Sequence, residues 1–164
     1  MNNRLKKTSL GKVEKWLAGE ARKVGLDIDG FEHEITNEFV NHVTNRHGNA
    51  KSEAAYGQVA IMKSDFDKIP ELVRKPDFLV VGATRNDKDI LVYARKMLDG
   101  TTLYIEEVLS GKNNRTLRGK TMYKRKGDIS EKNLEIVIKQ NGKTDLSNAK
   151  IISRGGGHSP SEVV

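Results

Sequence analysis

Four segments in the second half of the chain alternate apolar and polar residues, and this alternation constrains the fold more than any other feature. We predict one strand for each of residues 77–83, 89–98, 101–109 and 115–124. The connections between them are short, and Asp99-Gly100 is a strong signal for a hairpin turn. The sequence therefore predicts an antiparallel meander, with its last strand at or near an edge.

Helical periodicity dominates the segments that precede these strands. We predict a first helix over residues 9–25 and a second over residues 34–47. In the second, Ile35, Phe39 and Val43 form a stripe along one side. Such stripes pack against a core, so we expect both helices to lie on the sheet.

Helices followed by a meander indicate an α+β fold, with N-terminal helices packed on a roughly four-stranded antiparallel sheet. Residues 130–140 fit either a helix or a further strand. We expect a helical N-terminal extension over residues 1–30, the main domain over residues 31–140, and a flexible tail over residues 141–164, which is rich in Gly and Ser towards its end.

Composition excludes several classes of chemistry. The 164 residues contain no cysteine, so disulfides and thiolate metal sites are absent from this sequence. Its four histidines do not follow the spacing of a zinc site, and it has no Walker loop and no GxGxxG or GxSxG motif. No apolar run approaches the ~20 residues of a membrane span. We therefore expect no cofactor, no metal site and no membrane partner.

The net charge of +7 comes from one stretch, residues 110–126. Residues 1–109 contain 17 basic and 17 acidic side chains, and residues 127–164 contain five of each. Concentrated positive charge of this kind favours a phosphate-bearing partner, although a solvated loop in a basic protein is the alternative. The stretch has no carboxylate, and its seven cations are Lys112, Arg115, Arg118, Lys120, Lys124, Arg125 and Lys126.

His47 lies in the last turn of the predicted second helix, inside its apolar face. A helix C-terminus favours the charged imidazolium, whereas burial opposes it, and the balance suits proton transfer near neutral pH. The alternative is a core or capping histidine. Gly48 follows and is expected to end the helix in a left-handed conformation.

Several short patterns occur in one order and together resemble the phage-associated branch of the barnase–EndoU–colicin–RelE-like nuclease superfamily. Domains of this kind are found at the C-terminus of phage head-morphogenesis (MuF-type) proteins and in other polymorphic toxins. The resemblance covers residues 33–126. It rests on His42-x4-His47-Gly48, Glu53-x3-Gly57-Gln58, Asp65-x3-Ile69-Pro70, Pro76-Asp77, a Tyr-x-Glu-Glu strand from Tyr104 to Glu107, and Thr121-Met122-Tyr123.

The resemblance implies a barnase-like fold and a metal-independent endoribonuclease whose nucleophile is the RNA 2′-hydroxyl next to the scissile phosphate. The positions that match the family are His42, His47, Thr121 and Tyr123, and Lys96 resembles the basic position that many members place in the cleft. A toxin domain of this family would act in the cytoplasm after delivery by a phage or a secretion system.

Cleavage of this kind needs a base, an acid and cations that stabilise the transition state. His47 is the leading acid–base candidate. His42 can fill the other role, but it lies about 140° around the helix from His47. Glu53 is an alternative base, or a carboxylate that forms a salt bridge at a helix end. The sequence leaves open which group is the acid and which the base.

The strand residues have predicted roles as well. Alternation places Lys96 on the same face as Val92, Ala94 and Leu98, a core-side face on which a cation would seek a phosphate or carboxylate.

Two further strand residues, Thr121 and Tyr123, share a face. Each can donate to a phosphate oxygen, and Tyr123 can also stack on a base, although ordinary β-propensity explains both residues equally. We expect the flanking phosphates to be bound by Arg46, Arg118, Lys120, Lys124 and Arg125.

Three functions fit these observations. The first is an endoribonuclease toxin domain that binds RNA and that an acidic immunity protein would cover. The second is a non-catalytic nucleic-acid-binding module of a phage or toxin protein. The third is an enzyme that acts on another phosphate, such as a nicotinamide dinucleotide or a transferred ADP-ribose, for which we find no glycine-rich cradle.

Overall fold

The computed structural model describes residues 4–55, 57–140 and 144–154. In these ranges the chain is α+β, with six helices and nine strands that belong to one sheet. In chain order the elements are β1 (Lys7–Lys12), α1 (Lys15–Arg22), β2 (Glu32–Thr36), α2 (Asn37–His47), α3 (Ala50–Ala55), β3 (Gln58–Val59), α4 (Lys63–Phe66), α5 (Ile69–Arg74), β4 (Phe78–Arg85), β5 (Lys88–Met97), β6 (Gly100–Gly111), β7 (Asn114–Arg125), α6 (Glu131–Gln140), β8 (Thr144–Asp145) and β9 (Lys150–Ser153).

The predicted meander is confirmed by the antiparallel strands β4 to β7. The sheet is nonetheless wider than the four strands expected. Its order is β1-β2-β7-β6-β5-β4-β8, with β3 beside β7 and β9 beside β4. Strand β7 is therefore not an edge strand, because β2 pairs with it in parallel and β3 pairs with it in antiparallel orientation.

Both N-terminal helices are shorter than predicted, because strands replace their first residues. Residues 7–12 form β1, and α1 begins only at Lys15. The residues from Glu34 to Thr36 belong to β2, and α2 begins after Thr36, whose hydroxyl accepts a hydrogen bond from the Phe39 amide at 3.1 Å. The position of Ile35 is compatible with a helical stripe and with the alternation of a strand. The Thr36 cap marks the end of β2 and the start of α2.

Residues after the meander also form regular structure. The ambiguous segment 130–140 contains helix α6, so the helices are not all N-terminal. Strands β8 and β9, in the segment expected to be flexible, pair with β4, and the remainder, residues 155–164, lies outside the described residues. The division into extension, main domain and tail stays a prediction.

Two hydrophobic clusters cover the two faces of the sheet. The larger contains buried residues of α1, α2 and α5 together with Leu91 and Tyr93 of β5. The smaller contains Val92 and Ala94 of β5, Tyr123 of β7 and the buried residues of α6. The predicted alternation of β5 is therefore confirmed, and it assigns Lys96 to the α6 face.

The larger cluster contains a buried polar network. The Nδ1 atom of His33 lies 2.7 Å from a carboxylate oxygen of Glu106, and the Tyr93 hydroxyl donates to the other oxygen at 2.6 Å. Burial lowers the pKa of His33, but the charge and hydrogen bond of Glu106 outweigh it, so the pKa is raised. This network joins β2 to β6 across Gly119 of β7, where a Cβ atom would lie 2.6 Å from the Tyr104 hydroxyl.

Lys124 of β7 is buried and holds three elements together. Its ammonium group lies 2.9 Å from Asp65 of α4 and 2.5 Å from Asp99 in the β5–β6 turn. Asp65 in turn accepts a hydrogen bond from the Met62 amide at 2.6 Å, at the start of α4. Burial lowers the pKa of Lys124, but the two carboxylates outweigh this and raise it. Lys124 is thus an anchor for α4 and the turn.

Replacement of Lys124 by Met should lower the free energy of unfolding by about 3 kcal/mol, because Asp65 would remain buried without its counter-charge. Urea unfolding followed by circular dichroism measures this change. The matched control is Lys112→Met, which removes the same charge from an exposed position. Equal stability of the two variants would contradict an anchoring role for Lys124.

Candidate active site

The candidate site lies where α2, α3 and β3 meet the outer side of β7. His47 is the last residue of α2, and its carbonyl accepts a hydrogen bond from the Ile61 amide at 2.7 Å, just after β3. Strand β3 pairs with Lys124 and Arg125 of β7. The end of α2 is thereby fixed beside the C-terminal half of β7.

His47 and Glu53 form a hydrogen-bonded pair. The His47 Nδ1 atom lies 2.9 Å from a carboxylate oxygen of Glu53, and the two side chains are 11% and 4% exposed. Because Glu53 is placed to accept the Nδ1 hydrogen, the other ring nitrogen, Nε2, can exchange a proton with a substrate. A carboxylate in this position fixes the orientation and the tautomer of the imidazole.

The turn between these two residues depends on Gly48. A Cβ atom there would collide with the Thr44 carbonyl oxygen, so only glycine allows the chain to leave α2 at this angle. The expectation of a left-handed residue is wrong, because Gly48 has φ −91° and ψ −1°. The sharp turn lets α3 fold back and present Glu53 to His47.

Tyr123 is the strand residue that the structure brings to His47. The two ring centroids are 5.7 Å apart, with the planes inclined at 35°. Tyr123 and its neighbour on the same face, Thr121, are both buried. The burial of Tyr123 leaves little ring surface for stacking on a base, and its hydroxyl oxygen is buried as well.

His42 lies on the exposed side of α2, five residues before His47. Its pKa is lowered, first by partial burial and then by the positive charges of Arg46, His47, Arg85 and Lys120. His42 is therefore mostly neutral at neutral pH. The same charges show that several cations act together at this surface, as binding of a phosphate requires.

Lys96 is placed differently from the prediction. It lies on β5, separated from β7 by β6, and its half-exposed ammonium group forms an ion pair with Asp128. The structure does not bring Lys96 to His47. Its neighbours Val92 and Ala94 are in the smaller core, as predicted, but Leu98 is fully exposed.

The five predicted RNA-binding residues fall into two groups. Arg118 is bound to Glu34 at 2.7 Å, and Lys124 is buried between two carboxylates, so fold contacts balance both charges. This placement argues against the predicted contact of Lys124 with flanking phosphates. Arg46 and Lys120 are exposed, and Arg125 is half-buried at the wall of a cavity.

Two findings, on metal ligands and on membrane-spanning helices, apply to the part of the chain that the structure describes. No group of three or more His, Asp or Glu side chains in it could hold a metal ion. None of its helices is both long enough and apolar enough to cross a membrane. Metal independence of the reaction stays a prediction.

Comparison with known proteins gives one match. The family model described as phage-Barnase-EndoU-ColicinE5/D-RelE like nuclease3 matches residues 11–132, which is most of the chain. The matched range contains His42, His47, Glu53, Thr121 and Tyr123. No curated protein and no solved structure matches.

Arg46→Ala and Lys120→Ala should each raise the pKa of His42, because each removes a positive charge that lowers it. The effect of Arg46→Ala should be the larger, since Arg46 contributes more. An NMR titration of the imidazole carbon-bound protons measures the pKa directly. Lys112→Ala, which removes a charge from the β6–β7 turn, serves as the control. A His42 pKa that stays constant in both test variants would contradict the proposed cluster of cations.

Proposed function

The chain belongs to the phage-Barnase-EndoU-ColicinE5/D-RelE like nuclease family, and on that premise we propose that it is a metal-independent endoribonuclease. The observation that carries the proposal is the hydrogen-bonded pair of His47 and Glu53, in which His47 lies against Tyr123 of the cationic strand β7. The family supports nuclease chemistry in general. The pair supports a mechanism that proceeds by proton transfer.

The proposed reaction is attack of the RNA 2′-hydroxyl on the adjacent phosphorus. The 2′-oxygen loses its proton, a bond forms from it to phosphorus, and the bond from phosphorus to the 5′-oxygen breaks. The departing 5′-oxygen takes up a proton, which leaves a 2′,3′-cyclic phosphate and a 5′-hydroxyl. An acid–base pair of side chains and a set of fixed cations are sufficient for this chemistry.

The surroundings of the two histidines favour different roles. His42, with its lowered pKa, is mostly neutral and suits the base that removes the 2′-hydroxyl proton. His47, whose imidazole is oriented by the Glu53 carboxylate through Nδ1, is then left as the acid that donates to the leaving oxygen.

Fixed positive charges would stabilise the pentacoordinate phosphorus. Arg46 and Lys120 are exposed and act electrostatically on His42, so a phosphate close to this histidine would lie within their field. Thr121, on the same strand as Lys120, would add a hydroxyl donor, whereas Tyr123, whose hydroxyl is buried, would support the ring of His47. We retain Arg46 and Lys120 as phosphate-binding residues, and assign Lys124 to the fold instead.

We also propose that the domain acts as a toxin. Its substrate would be cellular RNA in the cytoplasm, reached after delivery by a phage or a secretion system. A cognate immunity protein would carry an acidic surface, because the exposed cations Arg46, Lys112 and Lys120 are left for a partner to neutralise.

The roles of the two histidines are tested with an RNA whose scissile 5′-oxygen is replaced by sulfur, since a thiolate leaves without protonation. On ordinary RNA in EDTA, His47→Ala and His42→Ala should each lower the cleavage rate by about 10²–10⁴-fold. On the sulfur substrate, His47→Ala should cleave almost as fast as the unaltered protein, whereas His42→Ala should remain slow.

Asn45→Ala, an exposed substitution on the same helix, is the matched control for folding and should leave both rates unchanged. Glu53→Gln keeps the size of the side chain but removes its charge, and should lower cleavage of ordinary RNA less than His47→Ala does. Failure of the sulfur substrate to rescue His47→Ala would overturn its role as the acid. Salt-dependent RNA binding by the unaltered protein without any cleavage would favour the non-catalytic module.

A further inference from the structure

A cavity of about 280 Å³ opens on the α6 face of the sheet. One wall is the end of β7 and the turn that follows it, and the other wall is α6. This volume is close to the ~300 Å³ at which ligand pockets of proteins begin, which suits a single nucleotide unit. The lining residues are Arg125, Lys126, Asp128, Ile129, Asn133, Ile136 and Val137.

The cavity and the candidate active site are connected by strand β7, which contributes residues to both. Arg125 follows Tyr123 by two residues and shares its face, about 7 Å further along the strand. Cross-strand pairing places Arg125 beside Gln58 of β3 on one side and beside Thr101 of β6 on the other. An RNA strand bound at His47 would therefore reach the cavity by following the end of β7.

The lining combines a positively charged part with an apolar part. Arg125 and Lys126 supply positive charge, as a phosphate requires. Ile129, Ile136 and Val137 supply an apolar wall, and the Ile136 side chain is 55% exposed. A flat base can cover such a surface and remove it from water.

Polar groups at the mouth of the cavity can recognise a base edge. Asp128 is a hydrogen-bond acceptor when ionised, and Lys96 anchors it through their ion pair. Asn133 of α6 can both donate and accept. A carboxylate favours a base edge that carries an amino group, which cytosine has and uracil lacks.

The geometry points to a binding subsite for one nucleotide that flanks the cleaved phosphate, with a preference for an amino-bearing base. This inference rests on the proposed function, because cleavage at His47 fixes the direction from which the RNA would enter the cavity. The α6 wall, with Asn133, Ile136 and Val137, lies beyond residue 132, where the family match ends. In this proposal Lys96 positions Asp128 through their ion pair. That role accounts for the separation of Lys96 from His47.

Binding of non-cleavable 2′-O-methyl oligonucleotides tests the subsite independently of catalysis. Fluorescence anisotropy should show that the protein binds oligocytidine about 10-fold more tightly than oligouridine. Asp128→Asn and Asn133→Ala should each reduce this preference. Lys126→Ala should weaken both complexes alike and reduce the salt dependence of binding by about one counterion.

Lys132→Ala and Glu135→Gln are the matched controls, since both residues are exposed on α6 and lie outside the cavity lining. Thermal unfolding of each variant checks that it is folded. The subsite is wrong if the base preference is absent, if it survives in both Asp128→Asn and Asn133→Ala, or if Lys132→Ala weakens binding as much as Lys126→Ala.

The two proposals can fail separately. A protein that shows the base preference and its loss in these variants, but does not cleave RNA, would have the subsite without the proposed activity. A protein that cleaves RNA in EDTA, but whose binding is unaffected by Asp128→Asn, Asn133→Ala and Lys126→Ala, would have the activity without the subsite.

Discussion

Strand β7 is the constraint on which the arrangement of the candidate site depends. Its outer side pairs with two strands that are consecutive in the chain, β2 in parallel at residues 116–118 and β3 in antiparallel orientation at residues 124–125. The chain between them contains α2 and α3, so both ends of that segment are attached to one strand. His47 and Glu53 are thus held beside Tyr123 by backbone hydrogen bonds that do not involve their own side chains. Such attachment provides the fixed geometry that acid–base chemistry needs.

The cationic side chains of β7 fall into two groups, which the amino-acid composition alone does not distinguish. Lys124 and Arg118 face carboxylates of the same molecule, and their ion pairs connect α4, the β5–β6 turn and β2 to the central strand. Lys120 is exposed, and Arg125 lines the cavity on the α6 face. A buried ion pair needs both partners, because removal of one leaves an uncompensated charge. The cationic stretch therefore partly stabilises the fold, and the remainder is the surface that we propose to bind RNA.

Sequence patterns predicted the elements that are long and regular. Strands β4 to β7 have 8–12 residues each, enough for alternation to be recognised, and the apolar face of α2 correctly included His47. Strand β2, with five residues, carries too few periods to be recognised, and its pairing with β7 determines it. The contact of Glu53 with His47 depends on the turn at Gly48, where the sequence indicates the end of the helix but not the direction in which α3 folds back. Alternation gave the correct face for Lys96, but it cannot tell which helices cover that face.

Cleavage of a DNA oligonucleotide that contains a single ribonucleotide, in the presence of EDTA, tests the central claim most directly. Only that residue has a 2′-hydroxyl, so the account predicts one cut, on its 3′ side, which leaves a 2′,3′-cyclic phosphate and a 5′-hydroxyl. Four substrates that differ in the base of the ribonucleotide make the result independent of base preference. Cleavage that requires added magnesium, or that occurs elsewhere in the DNA, would contradict an acid–base ribonuclease built on His47 and Glu53.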